Sequence, residues 1–392
     1  MPPRDVHQCW PGKDCLVTLP AGARTFGVEE ELLLVDPETG APLALSGSVI
    51  HHARRHDELF LTGGRRSRTL ETELQRQQVE TATPVCGTLG ELSDHVRLAR
   101  VAADQSAAGV GAAVAALATS PVSVRPSLTP SHRYLLMSDA FGPTADEQLT
   151  CGCHVHVGIE SGDEGAAVLD RIRPWLPPLL ALSANSPFWQ GADTGSDSWR
   201  YQVWGRWPSS GPTEPFGSAR AYRAAVDALL ATGVLVDEGM IYFDARLSRN
   251  YPTVEIRVAD VCLDADDAVL MGALARALVD TAAEAWRRRE PHDPVRTDLV
   301  RLATWRAARS GLRGELVHPL TRTAAPAREV VAALLRHLTP ALDRSGDLDT
   351  VAALLDNVLD RGNGARFQRT AYARSGDLRT VVTAAVRRTM AV

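Results

Sequence analysis

Three short segments in which polar and apolar side chains alternate constrain this chain more than any other feature. The segments are GVEEELLLV (27–35), CGCHVHVGI (151–159) and PTVEIRVAD (252–260), and their alternation predicts β-strands. Because successive strand residues face opposite sides of a sheet, each strand has one mostly apolar face and one face that carries Glu, His or Arg. We therefore expect a sheet with one dry face that is covered by helices.

Long helical stretches separate and follow these strands. Helices are predicted at 89–118, with a break near Gly109 and Gly111 as the alternative, at 164–184 and 218–232, and through most of 264–392. A second extended piece is predicted over 69–83, and the turn–strand pattern of 234–261 suggests hairpins. Connections of such varied length favour an α+β fold with an antiparallel sheet over a doubly wound parallel one, with a helical C-terminal third.

Composition and length exclude several classes of protein. With 392 residues, 45% of them hydrophobic, the chain can bury a large core. Its 42 basic and 47 acidic residues give a net charge of −5, which argues against binding nucleic acid through bulk charge. The length allows two or three average domains, or one large enzyme fold with an appendage, and residues 1–24 are predicted to be a loose arm.

The segments that most resemble a targeting or membrane sequence lack the necessary features. Residues 1–20 have no apolar core, so no signal peptide is predicted. Residues 105–124 carry no charge but consist mostly of small side chains, which predicts a buried helix and no membrane span. The expected location is the cytoplasm.

Lysine is almost absent from this chain. Lys13 is the only one, and it lies in a polar N-terminal segment. A P-loop, a Schiff-base cofactor site and a protein kinase each need a well-placed lysine, so none of these has a candidate. No G-x-G-x-x-G sequence follows a strand, so a dinucleotide-binding fold is not supported either.

The polar faces of the three strands together suggest a metal platform. On these faces lie Glu29 and Glu31, His154 and His156, and Glu255 and Arg257. Clustered carboxylates repel one another unless they are protonated or bridged by cations. Oxygen ligands with an imidazole suit Mg²⁺ or Mn²⁺ better than Zn²⁺. The alternative at this point is a set of solvated residues with no shared site.

The C-x-C-H-x-H sequence of the middle strand resembles a zinc motif. In a regular strand, however, Cys151 and Cys153 point away from His154 and His156, so the four cannot bind one metal without a bulge. We therefore expect both cysteines to be core residues.

The second extended segment adds Glu71, Glu73 and Glu80. Because Glu73 and Glu80 are seven residues apart, one regular strand would place them on opposite faces. Both can face one site only if a bulge or a turn lies between them.

Four motifs in this order resemble the carboxylate–amine ligases known as glutamate–cysteine ligase type 2, within the glutamine synthetase-like superfamily. They are GVEEELLLVD, VETATP, CGCHVHVGI and NYPTVEIRVAD, and the resemblance covers about residues 24–380. It implies a single domain, residues 25–392, with an antiparallel sheet curved into a half-funnel and covered by helices. It also implies an enzyme that uses ATP and Mg²⁺ (or Mn²⁺).

The resemblance assigns roles residue by residue. It implies six metal ligands, of which Glu255 is also catalytic: Glu29, Glu31, Glu73, Glu80, His154 and Glu255. It places Arg257 at the nucleotide phosphates as a catalytic residue. His156 occupies a position that varies in the wider group, and it is assigned to substrate binding.

Such ligases activate a carboxylate by phosphorylation, and an amine then displaces the phosphate. The expected partners are a small-molecule acid and amine, and a homodimer is the default assembly. Arg249 precedes the last strand and could pair with a substrate carboxylate. Arg200 and Arg206 lie in the long segment 187–217, which holds four of the eight Trp residues and could be a lid or a binding loop.

Two other functions remain open from the sequence. A metal-dependent hydrolase could use the strand of His154 and His156 with a metal-bound water. A relative without catalysis could bind a nucleotide or an amino acid as a sensor.

Overall fold

The structure, a computed structural model, describes residues 24–56 and 70–391. The predicted N-terminal arm therefore lies outside the described residues, except for Arg24. That side chain donates hydrogen bonds of 2.7 Å to the backbone oxygen of Gly158 and to Glu164, so the chain is already packed against the domain at this residue.

Strands and helices alternate through the first two thirds of the chain, and helices dominate the last third. The strands are β1 (Phe26–Val35), β2 (Leu70–Thr72), β3 (Gln78–Ala82), β4 (Ala113–Ala115), β5 (Gly152–Gly158), β6 (Phe188–Trp189), β7 (Ala192–Asp193), β8 (Ala245–Leu247), β9 (Thr253–Asp260), β10 (Glu315–Val317) and β11 (Ala324–Pro326). The helices are α1 (Ser46–His56), α2 (Leu89–Ala108), α3 (His132–Phe141), α4 (Pro143–Asp146), α5 (Gly162–Ile172), α6 (Leu176–Ser183), α7 (Trp199–Trp204), α8 (Ala219–Ala231), α9 (Ala265–Arg287), α10 (Thr297–Ser310), α11 (Ala327–Ser345), α12 (Leu348–Arg361), α13 (Gly364–Ser375) and α14 (Leu378–Thr389). Across the described ranges, none of these helices combines the length and the apolarity needed to cross a lipid bilayer.

One antiparallel sheet organises the fold. Its order is β2-β3-β1-β5-β9-β8, and β4 pairs with the end of β1. The three alternating segments of the sequence are thus the three adjacent central strands β1, β5 and β9. The predicted α+β fold with an antiparallel sheet and a helical C-terminal third is confirmed.

The apolar face of the sheet is buried under helices α2 and α9. Val28, Val155 and Ile256, one from each central strand, share a core with the Ala-rich α9. The backbone of Gly272 in α9 comes so close to its neighbours that an added Cβ would lie 2.5 Å from Leu92. Small side chains on α9 therefore allow helix and sheet to pack closely.

A buried ion pair interrupts this apolar face. Arg100 on α2 donates hydrogen bonds of 2.9 and 2.6 Å to the two carboxylate oxygens of Glu30, and both side chains are almost fully buried. The same guanidinium donates to the backbone oxygens of Cys262 and Leu263. The pair thereby ties β1 and α2 to the chain that follows β9.

Three predictions of local structure need correction. The segment 69–83 is not one extended piece but the hairpin β2–β3. The predicted helix 89–118 ends at Ala108, beside the alternative break near Gly109 and Gly111, and β4 follows it. The predicted buried helix 105–124 is therefore the end of α2, a strand and a loop. Small uncharged residues carry no periodicity that separates a helix from a buried strand, and Gly111 adopts a φ of +80°, which ends the helical path.

Candidate active site

A cleft of about 320 Å³ opens over the polar face of the sheet. Its floor consists of acidic, imidazole and guanidinium side chains that adjacent strands place opposite one another. These cross-strand pairs are Glu31 with Glu80, Glu29 with His154, His156 with Glu255, and Arg246 with Glu255. The alternation seen in the sequence therefore brings chemically active residues from distant stretches onto one surface.

Glu73 reaches the same cleft because the chain turns directly after β2. The turn between Thr72 and Gln78 is the irregularity that the spacing of Glu73 and Glu80 required. Thr129 fixes the turn by donating a 2.5 Å hydrogen bond to the backbone oxygen of Glu73. Both carboxyl groups line the cleft as a result.

Three overlapping groups of side chains on this floor could each hold a cation. In each group the potential ligand atoms lie within 4.8 Å of one another. The groups are Glu29, His156 and Glu255; Glu29, Glu80 and His154; and Glu31, Glu73 and Glu80. All six metal ligands implied by the family resemblance belong to these groups, together with His156.

Crowding of the carboxyl groups changes their ionisation. Burial and the charge of Glu31 raise the pKa of Glu73 to about 8. Burial, with the charges of Glu73 and Glu29, raises the pKa of Glu80 well above its usual value. Without a cation, Glu73 is therefore mostly protonated at neutral pH, and the pKa of Glu80 is shifted in the same direction.

The two imidazoles have the opposite effect on Glu29. Burial alone would raise the pKa of Glu29, but His156 and His154 outweigh it and hold that pKa well below its usual value. Nδ1 of His154 lies 3.6 Å from Oε2 of Glu29, and Nε2 of His156 lies 3.4 Å from Oε1. Glu29 is therefore a charged ligand that two groups share.

Two arginines hold Glu255. Arg246 donates to its two carboxylate oxygens at 2.7 and 3.2 Å, and Arg257 donates to one of them. Burial opposes ionisation, but Arg257 and Arg246 outweigh it and keep the pKa of Glu255 far below its usual value. The excess positive charge beside Glu255 favours an anionic ligand such as a phosphate.

The residues present fit a divalent cation. Of the seven residues in the three groups, five are carboxylates and two are imidazoles, and four of the carboxylates lie on β1 and the β2–β3 hairpin. A donor set made mostly of oxygen suits Mg²⁺ or Mn²⁺. Nε2 of His154 is buried and has no hydrogen-bond partner among the described residues. Burial and Arg257 lower the pKa of His154, which leaves its imidazole neutral, the form that binds metals.

We expect divalent cations to displace protons from this site. The folded-state pKa of Glu73, about 8, lies above its usual value, so this carboxyl is mostly protonated at pH 7 and mostly ionised at pH 9. Mg²⁺ binding should therefore release protons at pH 7, and its affinity should rise as the pH is raised towards 9.

Calorimetric titration with Mg²⁺ at pH 7, in two buffers of different ionisation enthalpy, measures this release. The variant Glu73→Gln should release fewer protons. Equal apparent enthalpies in both buffers for the unmodified chain would contradict the assignment.

The residues predicted to bind substrate are not all at the cleft. Arg249 lines it, with 64% of its side chain exposed. Arg200 is buried, with its guanidinium 3.9 Å from Asp260, and Arg206 pairs with Glu147 at the surface. Neither Arg200 nor Arg206 is one of the described residues that line the cleft.

Aromatic side chains form a wall of the cleft that the strand patterns did not predict. Trp204 and Trp207 pack on Tyr242, with ring centroids 4.7 and 5.4 Å apart, and the Arg257 guanidinium lies 5.8 Å from the Trp204 ring. Both Trp residues come from the segment 187–217, whose high Trp content was the available signal. Arg246 was also missed, although its place in the hairpin before β9 could have indicated it.

The two cysteines beside the histidines play no part in the cleft. Cys151 and Cys153 are buried in the core, while His154 and His156 line the cleft. A bulge lies between Cys153 and Val155, yet it does not bring the thiols to the histidine side. The predicted separation of thiols and imidazoles is confirmed.

Comparison with known sequences places the chain among ligases. The model of "Glutamate-cysteine ligase family 2 (GCS2)" matches residues 25–384. A protein of Streptomyces coelicolor named "Putative glutamate--cysteine ligase 2" is 54% identical over 368 residues, which cover 94% of this chain and 99% of the relative.

Solved structures show a similar fold at low sequence identity. A glutamate–cysteine ligase of Francisella tularensis, solved in complex with AMP, superposes with a TM-score of 0.64 at 13% identity, over 94% of this chain and 88% of that one. A bifunctional glutathione synthetase of Pasteurella multocida gives a TM-score of 0.68 at 16% identity, over 94% of this chain and 52% of that one. The antiparallel sheet and its covering helices are therefore an arrangement shared with these enzymes.

Proposed function

We propose that this chain, which belongs to glutamate–cysteine ligase family 2, joins a carboxylic acid to an amine through an acyl phosphate. As a glutamate–cysteine ligase-like, ATP-dependent ligase, it forms a C–N bond. Amide formation from a free carboxylate is slow because an oxide ion leaves poorly. Transfer of the γ-phosphoryl group of ATP to the carboxylate supplies a better leaving group, inorganic phosphate.

One observation carries this proposal: seven ligand residues from four strands and a turn converge in three overlapping groups on the cleft floor. Phosphoryl transfer needs charge neutralisation at the phosphate oxygens more than it needs any covalent help from the protein. A shared floor of ionised and protonated carboxyls is suited to that task, because it gathers cations where a polyphosphate would lie.

The residues that would hold Mg²⁺ or Mn²⁺ are those of the three groups. Bound divalent ions would supply neutralisation of the phosphate charge and orientation of the reacting oxygens. Glu29 and Glu80 each belong to two groups, so we propose that they hold neighbouring ions in a fixed relation.

We propose that Arg257 stabilises the transferring phosphoryl group. Its guanidinium is buried, its Nε atom has no hydrogen-bond partner in the described part of the chain, and Glu255 fixes its position. Arg246 lies on the other side of Glu255 and adds a second positive charge. Planar guanidinium groups held in this way match the geometry of phosphate oxygens.

The acid and the amine would occupy the part of the cleft above this floor. We propose glutamate and cysteine as the first substrates to test, because the relatives bear that name. Arg249 at the cleft wall is suited to pair with a substrate carboxylate. The aromatic wall around Trp204 would keep water from an acyl phosphate.

The other two functions considered from the sequence are not favoured. Membership of this family supports an ATP-dependent ligase over a metal-dependent hydrolase or a sensor without catalysis. We also propose that the enzyme works in the cytoplasm. A homodimer stays a prediction.

Phosphate release tests the proposed function. Purified protein is incubated with ATP and Mg²⁺, first with glutamate and cysteine and then with pooled carboxylic and amino acids, and mass spectrometry identifies the product. We expect phosphate, ADP and an amide in equal amounts, each dependent on both the acid and the amine. ATP-independent cleavage of an amide, or no ADP formation across the whole panel, would contradict the proposal.

A further inference from the structure

Arg200 is a buried charged side chain that the proposed mechanism does not use. It is the second residue of α7, and only 1% of it is exposed. Its Nε and Nη1 atoms have no hydrogen-bond partner among the described residues, and its ion pair with Asp260 is 3.9 Å long. Unpaired donors on a buried charge cost stability, so the fold alone does not explain an arginine at this position.

The short helix that carries Arg200 is held at two points beside the strands of the cleft. Ser198, which caps α7, donates a 2.8 Å hydrogen bond to Asp260 at the end of β9. The hydroxyl of Tyr201 donates to Asp244, the residue before β8, at 3.0 Å. All four side chains are buried or half-buried, so α7 has a fixed place next to β8 and β9.

The guanidinium of Arg200 contacts the backbone of two strands of the sheet. Its Nη2 donates a long hydrogen bond, 3.5 Å, to the backbone oxygen of Arg257 on β9. On β5 it lies so close to Gly152 that an added Cβ would be 2.3 Å from Nη2. The glycine two residues before His154 therefore leaves the space that this guanidinium occupies.

Trp204, at the end of the same helix, connects Arg200 with Arg257. The Cζ atom of Arg200 lies 5.6 Å from the centroid of the Trp204 ring, and that of Arg257 lies 5.8 Å from it. Both distances are within the range of cation–π attraction. Arg257 therefore contacts the α7 side chains through its backbone oxygen and through its guanidinium, in addition to its ion pair with Glu255.

We propose that Arg200 is a positioning residue for Arg257. It holds the backbone of Arg257 by a hydrogen bond and holds the ring on which the Arg257 guanidinium packs. Arg200 does not line the cleft, so it acts through Arg257 and touches no substrate. Displacement of a catalytic group by about 1 Å can cost a factor of about 10² in rate. This inference rests on the proposed function, because it assigns Arg200 to the same reaction.

A double-mutant cycle tests whether Arg200 acts through Arg257. Phosphate release is measured with ATP, Mg²⁺, glutamate and cysteine. Arg200→Met should lower kcat about 10- to 100-fold, while KM for ATP changes less than about threefold. Combined with Arg257→Met, it should add almost no further loss, because the group that it positions is already absent. A merely structural role of Arg200 would make the two losses multiply.

A second variant and a direct measurement keep the test independent of folding and of turnover. Arg200→Met removes the ion-pair partner of buried Asp260, whereas Arg200→Lys keeps the positive charge but loses the planar fork. In protein labelled with ¹⁵N-arginine, the Nε–H signal of Arg257 is assigned by its loss in Arg257→Lys. This signal should shift in Arg200→Lys and stay in place in the control Arg328→Lys, whose arginine is exposed.

The outcomes separate this inference from the proposed function. Losses of kcat that do not multiply, together with a shifted Arg257 signal, support it. Unchanged kcat in the folded Arg200 variants, losses that multiply, or an unmoved Arg257 signal would overturn it while the proposed function stands. If the unmodified chain forms no product, the proposed function fails, and a shifted signal still supports the positioning of Arg257 by Arg200.

Discussion

Replacing Glu29 by Gln is expected to lower kcat for ATP-dependent ligation roughly 10³-fold, which corresponds to about 4 kcal/mol of transition-state stabilisation. Glu29 belongs to two of the three ligand groups, and the two imidazoles keep it ionised. Gln has nearly the same shape but no charge, so it would weaken the binding of cations at two positions at once. The fold should persist, because Glu29 is partly exposed in the cleft.

The measurement is phosphate release at saturating ATP and Mg²⁺, with circular dichroism to confirm the fold. Glu38 lies in the exposed turn that follows β1. Glu38→Gln is therefore the matched control and should keep full activity. Glu255→Gln should also abolish turnover. It is harder to interpret, because it also leaves Arg246 and Arg257 without their carboxylate partner. Near-normal activity of Glu29→Gln would show that the cation assignment is wrong.

Replacing Arg100 by Met should destabilise the fold by about 3–5 kcal/mol, since it leaves the buried carboxylate of Glu30 without its partner. Two backbone oxygens beyond β9 would also lose their donor. Glu30→Leu should have a similar effect, because it leaves a buried guanidinium. The double variant should lose much less than the sum of the two, because both charges are then gone.

Urea denaturation followed by circular dichroism measures these changes in the free energy of unfolding. The exposed pair of Arg328 and Asp360, 2.8 Å apart, offers the matched control, and Arg328→Met should cost less than about 1 kcal/mol. Additive effects of the two core substitutions would contradict a direct ion pair. This variant series also separates Glu30, which serves the fold, from Glu29 and Glu31, which face the cleft.

Strand alternation allowed much of the site to be predicted. In β1 it placed Glu29 and Glu31 on one face and Glu30 on the other, and the structure has the same division. In β5 it separated the thiols from the imidazoles, and Cys153 is indeed in the core. This works because the side-chain period of a strand is two, whatever its surroundings.

Features that depend on contacts between distant segments could not be predicted in this way. Arg100 and Glu30 are 70 residues apart, and no local pattern links them. The spacing of Glu73 and Glu80 showed that a bulge or a turn must lie between them if both face one site, but it did not predict which of the two or where. The aromatic wall around Trp204 depends on how a long irregular segment packs, which has no repeating pattern.

The sequence by itself determined which side chains share a face, because alternation in a strand is a local property of the backbone. It also excluded chemistry that needs a lysine. Only the tertiary structure decided which faces meet. The register of β1, β5 and β9 placed Glu29, His156 and Glu255 within reach of one ion, and that register is set by packing of the apolar faces on α2 and α9. The chemistry of the cleft depends on individual side chains, and these converge because the opposite, apolar side of the sheet is buried.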